Sequence, residues 1–159
     1  ILNCNAGFKG RKGTLYEGGI RVPFIVNQPG MVPIQTLDNL IYFPDMMPTL
    51  AALAKGTKHL PKQINGINIL PLFYGKQVDT DNRLLYWEFP GKQRAARKGD
   101  WKCVTIHPNQ PLELYNLKED PEETNNLAQK YPRRVKEFDE EMQRMHIPTP
   151  NWPQPGEQF

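Results

Sequence analysis

Short apolar runs separated by turn residues fill this chain, and their texture changes near residue 80. Before that point, Arg21-Val-Pro-Phe-Ile-Val26 is short, β-branched and apolar, so it predicts a buried strand that Pro29-Gly30 stops. Asn39-Leu-Ile-Tyr-Phe43 leads into a predicted helix over residues 45–54. There Asp45 would accept from the first free N–H groups, Pro48 is tolerated in the first turn and Gly56 ends the helix. Met46, Leu50, Leu53 and Ala54 would line one face, and the length of chain between these pieces suggests that they pack onto a sheet supplied largely from elsewhere. Leu70–Gly75 reads as one more helical turn.

Beyond residue 80, four short segments carry strand-like content: residues 83–89, 93–97, 101–107 and 112–117. Pro90-Gly91, Gly99-Asp100 and Pro108-Asn109 separate them, a spacing that predicts a four-stranded antiparallel meander. Pro132 then starts a final helix to Met145, with Val135, Phe138, Met142 and Met145 at helical spacing and charges opposite. The tail from Ile147 is too rich in proline to continue it. Residues 1–19, rich in Gly, Lys and Asn, predict a loop with tight turns.

Composition narrows the function classes. The 16 prolines in 159 residues are about twice the average share, which favours fixed turns over long elements. A net charge of +3, with Lys and Arg scattered among acids, lacks the basic face of a nucleic-acid binder. No apolar run approaches membrane-spanning length. Cys4 and Cys103 match no metal-ligand spacing; a disulfide between them needs an oxidising compartment, and two free thiols are favoured. The first residues lack both an initiator Met and the features of a signal peptide, so an upstream region is expected.

Lys12-Gly-Thr-Leu-Tyr-Glu-Gly-Gly-Ile-Arg-Val-Pro23, closed by Gln28-Pro-Gly30, resembles the signature of the arylsulfatase and N-acetylgalactosamine-sulfatase group. Four later pieces are similar to the same family in the same order. They are Asp45-Met-Met-Pro-Thr-Leu50, Asn65-Gly-Ile-Asn-Ile-Leu-Pro-Leu72, Arg97-Lys-Gly-Asp-Trp-Lys102 and the segment from Glu113 to Ala128. The resemblance implies an α/β protein of the alkaline phosphatase superfamily, α+β within this chain. Residues 1–78 would be the last elements of a large mixed-sheet domain, 79–147 a small four-stranded antiparallel sheet with a C-terminal helix, and 148–159 an extended tail.

The implied activity is hydrolysis of sulfate esters of sugars or aryl groups. Such a site needs a nucleophile, positive charge for the sulfate oxygens and a proton for the leaving group. In the family a formylglycine from a C/S-x-P-x-R motif is the nucleophile, and a calcium ion held by acidic side chains and an Asn binds the sulfate. Neither cysteine here has the needed Pro and Arg after it, and no calcium ligand is expected within the chain, so the isolated chain is expected to be inactive. Lys12 matches the family lysine that contacts the sulfate, a role suited to a compact ammonium with three donors. Gly13 would let the backbone pass close to the site, while Glu17 and Arg21 would support the loop as a buried pair or through backbone ties. Gly18 and Gly19 would allow a turn that side chains block. His59, His107 and His146 match no catalytic position of the family and read as surface or turn residues, and the acidic cluster from Glu119 to Glu123 as a turn and helix start.

Resemblance further implies a periplasmic or secreted parent with a sulfated sugar or aryl sulfate substrate. Two other readings stand beside it: a non-catalytic module derived from a sulfatase, and a phosphate or phosphonate ester hydrolase of the same superfamily. Cutting such a fold exposes edges and apolar faces, so the isolated chain is expected to self-associate.

Overall fold

The computed structural model describes residues 5–90, 93–151, 153 and 156–158. Cys4 and the Gly91 half of the first predicted hairpin turn lie outside the described residues. The chain forms two compact units, one of residues 1–22 with 84–159 and the other of residues 23–83.

The first unit is built on the predicted meander. Strands β1 (Leu84–Phe89), β2 (Gln93–Lys98), β3 (Trp101–Thr105) and β4 (Glu113–Asn116) pair antiparallel in the order β1-β2-β3-β4. The register sets Ala95 opposite Val104, Arg97 opposite Lys102, and Lys102 opposite Tyr115. Because side chains alternate across a strand, the register sorts them into two faces. One face carries Ala96, Cys103 and Leu114, which pack against Phe138 and Met142 of helix α4 (Pro132–Met145). The other carries Ala95, Val104 and Tyr115, which pack against Leu15 and Tyr16. The sulfatase-like signature therefore lies on one face of the sheet and the amphipathic helix on the other.

Val135 packs against the α4 cluster as its spacing predicts, but Met145 is 41% exposed, at the last turn of the helix. The signature also holds one helical turn, α1 (Glu17–Ile20), within the predicted loop.

In the second unit, α2 (Met46–Leu53) follows a 3-10 turn at Phe43–Asp45, and α3 (Leu70–Phe73) forms where a short helix is predicted. Two expectations fail here. Asp45 does not cap α2: its carboxylate accepts from the backbone N–H of Tyr42 and Ile67 and from Arg83 at 2.6 Å, which closes residues 42–83 around one buried acid. The left-handed residue past α2 is Lys55 (φ +57°) rather than Gly56. Within this chain α2 buries Pro48 and Thr49, whose hydroxyl accepts from Ile69 N–H, and Leu50 and Leu53 of the predicted apolar face are 57% and 50% exposed.

The predicted strand at residues 21–26 is likewise unpaired among the described residues, with Val22 and Ile25 75% and 86% exposed. An extended apolar segment needs a neighbouring strand to satisfy its backbone, and none of the four strands pairs with it.

Candidate functional site

Lys12 stands on a turn that its neighbours shape. Thr14 bonds Arg11 through its backbone N–H (3.0 Å) and its hydroxyl (2.9 Å), both to the Arg11 carbonyl. Gly13 between them has φ +91°, a conformation that costs an L side chain. The loop then folds back on α1: Gly18 N–H donates to Lys9 O at 2.8 Å. A methyl group at Gly19 would stand 2.0 Å from Thr14 O and 2.7 Å from Arg11 O, so only glycine admits that approach.

The sheet holds this loop at several points. At the start of β2, the buried Gln93 donates from Nε2 to Gly13 O (2.9 Å) and accepts at Oε1 from Leu15 N–H (3.2 Å). Below α1, the fully buried Lys102 ammonium lies 2.9 Å from Glu17 Oε1 and 2.9 Å from Glu123 Oε1. Glu123 Oε2 accepts from Glu17 N–H at 2.6 Å, and Arg97 reaches Glu17 Oε2 at 3.8 Å. Burial pushes the Glu123 carboxyl above its ordinary value against the pull of Lys102. Lys9 is the third tie: its ammonium donates to Tyr115 Oη (2.7 Å) and Glu113 (3.2 Å) and lies over the Tyr16 ring. Burial and the neighbouring Glu113 raise the Tyr16 and Tyr115 hydroxyls well above the usual phenol range, so both stay protonated donors.

The sequence-predicted residues are thus placed apart in role. Lys12 is exposed, and among the described residues its ammonium has no ion-pair partner. Glu17 is buried, but its carboxylate pairs with Lys102 rather than with Arg21. Arg21 is tied to Glu17 by a backbone bond (2.8 Å), and its guanidinium lies 4.7 Å from the Phe8 ring centre. Lys102, Glu123 and Gln93 escape sequence reasoning. The one available signal is that Lys102 is two residues from the core residue Val104, on the same strand face. Glu123 belongs to no helix start; it is fully buried at φ +56°.

His146 is no surface residue. Its ring lies between Glu88 Oε1 (Nδ1, 2.5 Å) and Glu157 Oε1 (Nε2, 2.6 Å), and Tyr86 Oη donates to the same Glu88. Burial lowers its basicity, but the bonds to both carboxylates outweigh it and raise the imidazole above its ordinary value. Trp87 packs partly into the core, whereas Phe89 is 42% exposed. Cys103 is buried, and burial with nearby Asp139 pushes its thiol up to about 12, so it stays protonated and unreactive. Among the described residues no group of three or more His, Cys, Asp or Glu could hold a metal ion. No helix of the described residues is long and apolar enough to cross a membrane.

An α+β unit with the signature loop clamped on one sheet face defines a sulfatase-type C-terminal region, and comparison with known proteins agrees. Residues 8–147 match the family model described as N-sulphoglucosamine sulphohydrolase, C-terminal, and the chain belongs to that family. It is 32% identical over 154 residues to a sulfatase of Formosa agariphila, covering 80% of this chain and 28% of the relative. It is 29% identical over 147 residues to an N-acetylgalactosamine-6-O-sulfatase of Bacteroides thetaiotaomicron, covering 84% of this chain and 29% of the relative. A solved Bacteroides thetaiotaomicron structure, described under the metabolism of multiple glycosaminoglycans, superimposes with a TM-score of 0.74 at 27% identity, covering 87% of this chain and 32% of that one. The chain thus spans under a third of the length of each of these relatives.

Proposed function

We propose that this chain is the C-terminal part of a sulfuric ester hydrolase whose full-length form cleaves sulfate esters of sugars or aryl groups, with Lys12 contacting the substrate sulfate. The observation that carries this reading is the clamp around Lys12. Gln93 and the Glu17–Lys102–Glu123 cluster fix the backbone that follows an exposed lysine, and the bonds from Thr14 to Arg11 and from Gly18 to Lys9 hold the backbone before it. An ammonium at the end of a fixed backbone can meet an anion without first leaving another partner, which is what preorganised stabilisation of developing charge requires.

In sulfate ester hydrolysis the bond from sulfur to the leaving oxygen breaks while negative charge builds on the oxygens. Lys12 would neutralise part of that charge on the sulfate oxygens, and its three donors can follow them as the sulfur inverts. The nucleophile, the calcium ion and the proton donor for the leaving group belong to the rest of the parent, which we read as an exported enzyme. On this reading residues 23–78 end a larger α/β domain, whose remainder covers the exposed Ile25, Leu50 and Leu53.

The test is turnover by the full-length protein of an aryl sulfate against the matching aryl phosphate. The sulfate is expected to be the better substrate in kcat/KM. A preference for the phosphate would move the protein to phosphoryl transfer, and turnover of neither, nor of sulfated sugars, would leave a binding module.

A further inference from the structure

Gln93 stands where β2 meets the Lys12 turn, and its amide nitrogen and oxygen reach Gly13 O and Leu15 N–H just after Lys12. The turn has one free carbonyl at Gly13 and one free N–H at Leu15, two residues apart and facing the sheet. A primary amide carries an acceptor oxygen and an NH2 donor group at matching separation, and the bond directions fix its orientation, since Leu15 N–H can only donate and Gly13 O can only accept; the NH2 group also donates to Pro90 O at 3.4 Å. Gln93 therefore replaces the pair of backbone bonds that a further strand would have made. Its side chain is buried, so water does not compete for either end.

The alternation of β2 makes this specific. Gln93, Ala95 and Arg97 share the face on which the signature packs. Ala95 is too small to hold the loop away, Arg97 reaches Glu17 at the far end, and Gln93 takes the near end beside Lys12. Arg97 acts on α1, two turns of chain from the lysine, whereas Gln93 bonds the residue that follows Lys12 directly. Nothing else among the described residues bonds Gly13 O.

We infer that Gln93 is a positioning residue for Lys12: its amide sets the height and direction of the Lys12 backbone, and so where the ammonium meets the sulfate. The inference rests on the proposed role of Lys12. It predicts that Gln93→Met, which keeps the volume and removes both bonds, lowers kcat for a sulfate ester roughly ten- to a hundredfold, the scale of an ångström-sized misplacement.

The experiment is a double-mutant cycle in the full-length enzyme with an aryl sulfate as substrate: wild type, Lys12→Ala, Gln93→Met and the double variant. The expected result is a large loss from either single change and no further loss in the double variant, because Gln93 acts only through Lys12. Gln93→Glu, which keeps an acceptor for Leu15 but sets a carboxylate oxygen against Gly13 O, is expected to lose kcat at least as far as Gln93→Met. It also serves as the probe if Gln93→Met does not fold. Equal fractional losses from Gln93→Met with and without Lys12 would overturn the inference, as would wild-type kcat in a folded Gln93→Met or Gln93→Glu while Lys12→Ala is impaired. Unimpaired Lys12→Ala would instead remove the role of Lys12 on which the inference stands.

Discussion

Lys102 has no exposed side-chain surface and faces two carboxylates, one of them fully buried. Its loss would leave Glu17 with Arg97 at 3.8 Å and take from both carboxylates their near partner. Lys102→Met in the full-length protein is therefore expected to lower stability by roughly 3–5 kcal/mol, the cost of an uncompensated buried charge. Adding Glu123→Gln should recover part of that loss; denaturant unfolding of both variants measures it. An unchanged midpoint for Lys102→Met would show that the cluster is not needed to hold the loop. His146 sets a pH dependence of the opposite kind from acid unfolding. Its folded value is raised above the unfolded one near 6.5, so the stability it contributes is complete below that value and is lost as pH rises through the folded value. The difference in Tm between wild type and His146→Gln should shrink from pH 6 to pH 9.

At the scale of elements, β2 does the most with the least side-chain volume. Ala95 admits the signature on one face and Ala96 admits α4 on the other, so a six-residue strand joins both layers. The back-folded loop gives an independent test: Gly19→Ala would press a methyl against Thr14 O and Arg11 O. It is expected to destabilise by more than roughly 1 kcal/mol and to lower sulfate turnover, since both carbonyls flank Lys12. Wild-type Tm and kcat in that variant would contradict the close approach. The sheet and α4 were legible in the sequence because turn residues and local alternation encode them. The strand expected at residues 21–26 was not, because period alone cannot say whether a neighbour is present to pair with it. The clamp was hidden for another reason. Glu17, Lys102 and Glu123 meet across a separation of 85 residues or more from the first to the others, and nothing local marks such a meeting.

Over the whole molecule, the exposed apolar residues gather in and beside residues 23–83: Val22, Ile25, Ile34, Phe43, Leu50 and Leu53 are each at least half exposed. On the proposed reading, in a chain spanning under a third of its relatives, more of the parent covers these residues. The chain alone is expected to self-associate, and sedimentation of the chain against the full-length protein distinguishes the two; a monodisperse monomer of the chain would contradict the covered-face reading. The family assignment rests on sequence and fold across residues 8–147, but the chemistry rests on Lys12. The most direct measurement is kcat/KM of the full-length protein on an aryl sulfate, with Lys12 and with Lys12→Ala. A loss of roughly a hundredfold or more is predicted for a preorganised charge in the transition state. An unchanged kcat/KM would mean that the clamped loop is architecture and that the sulfate is held elsewhere.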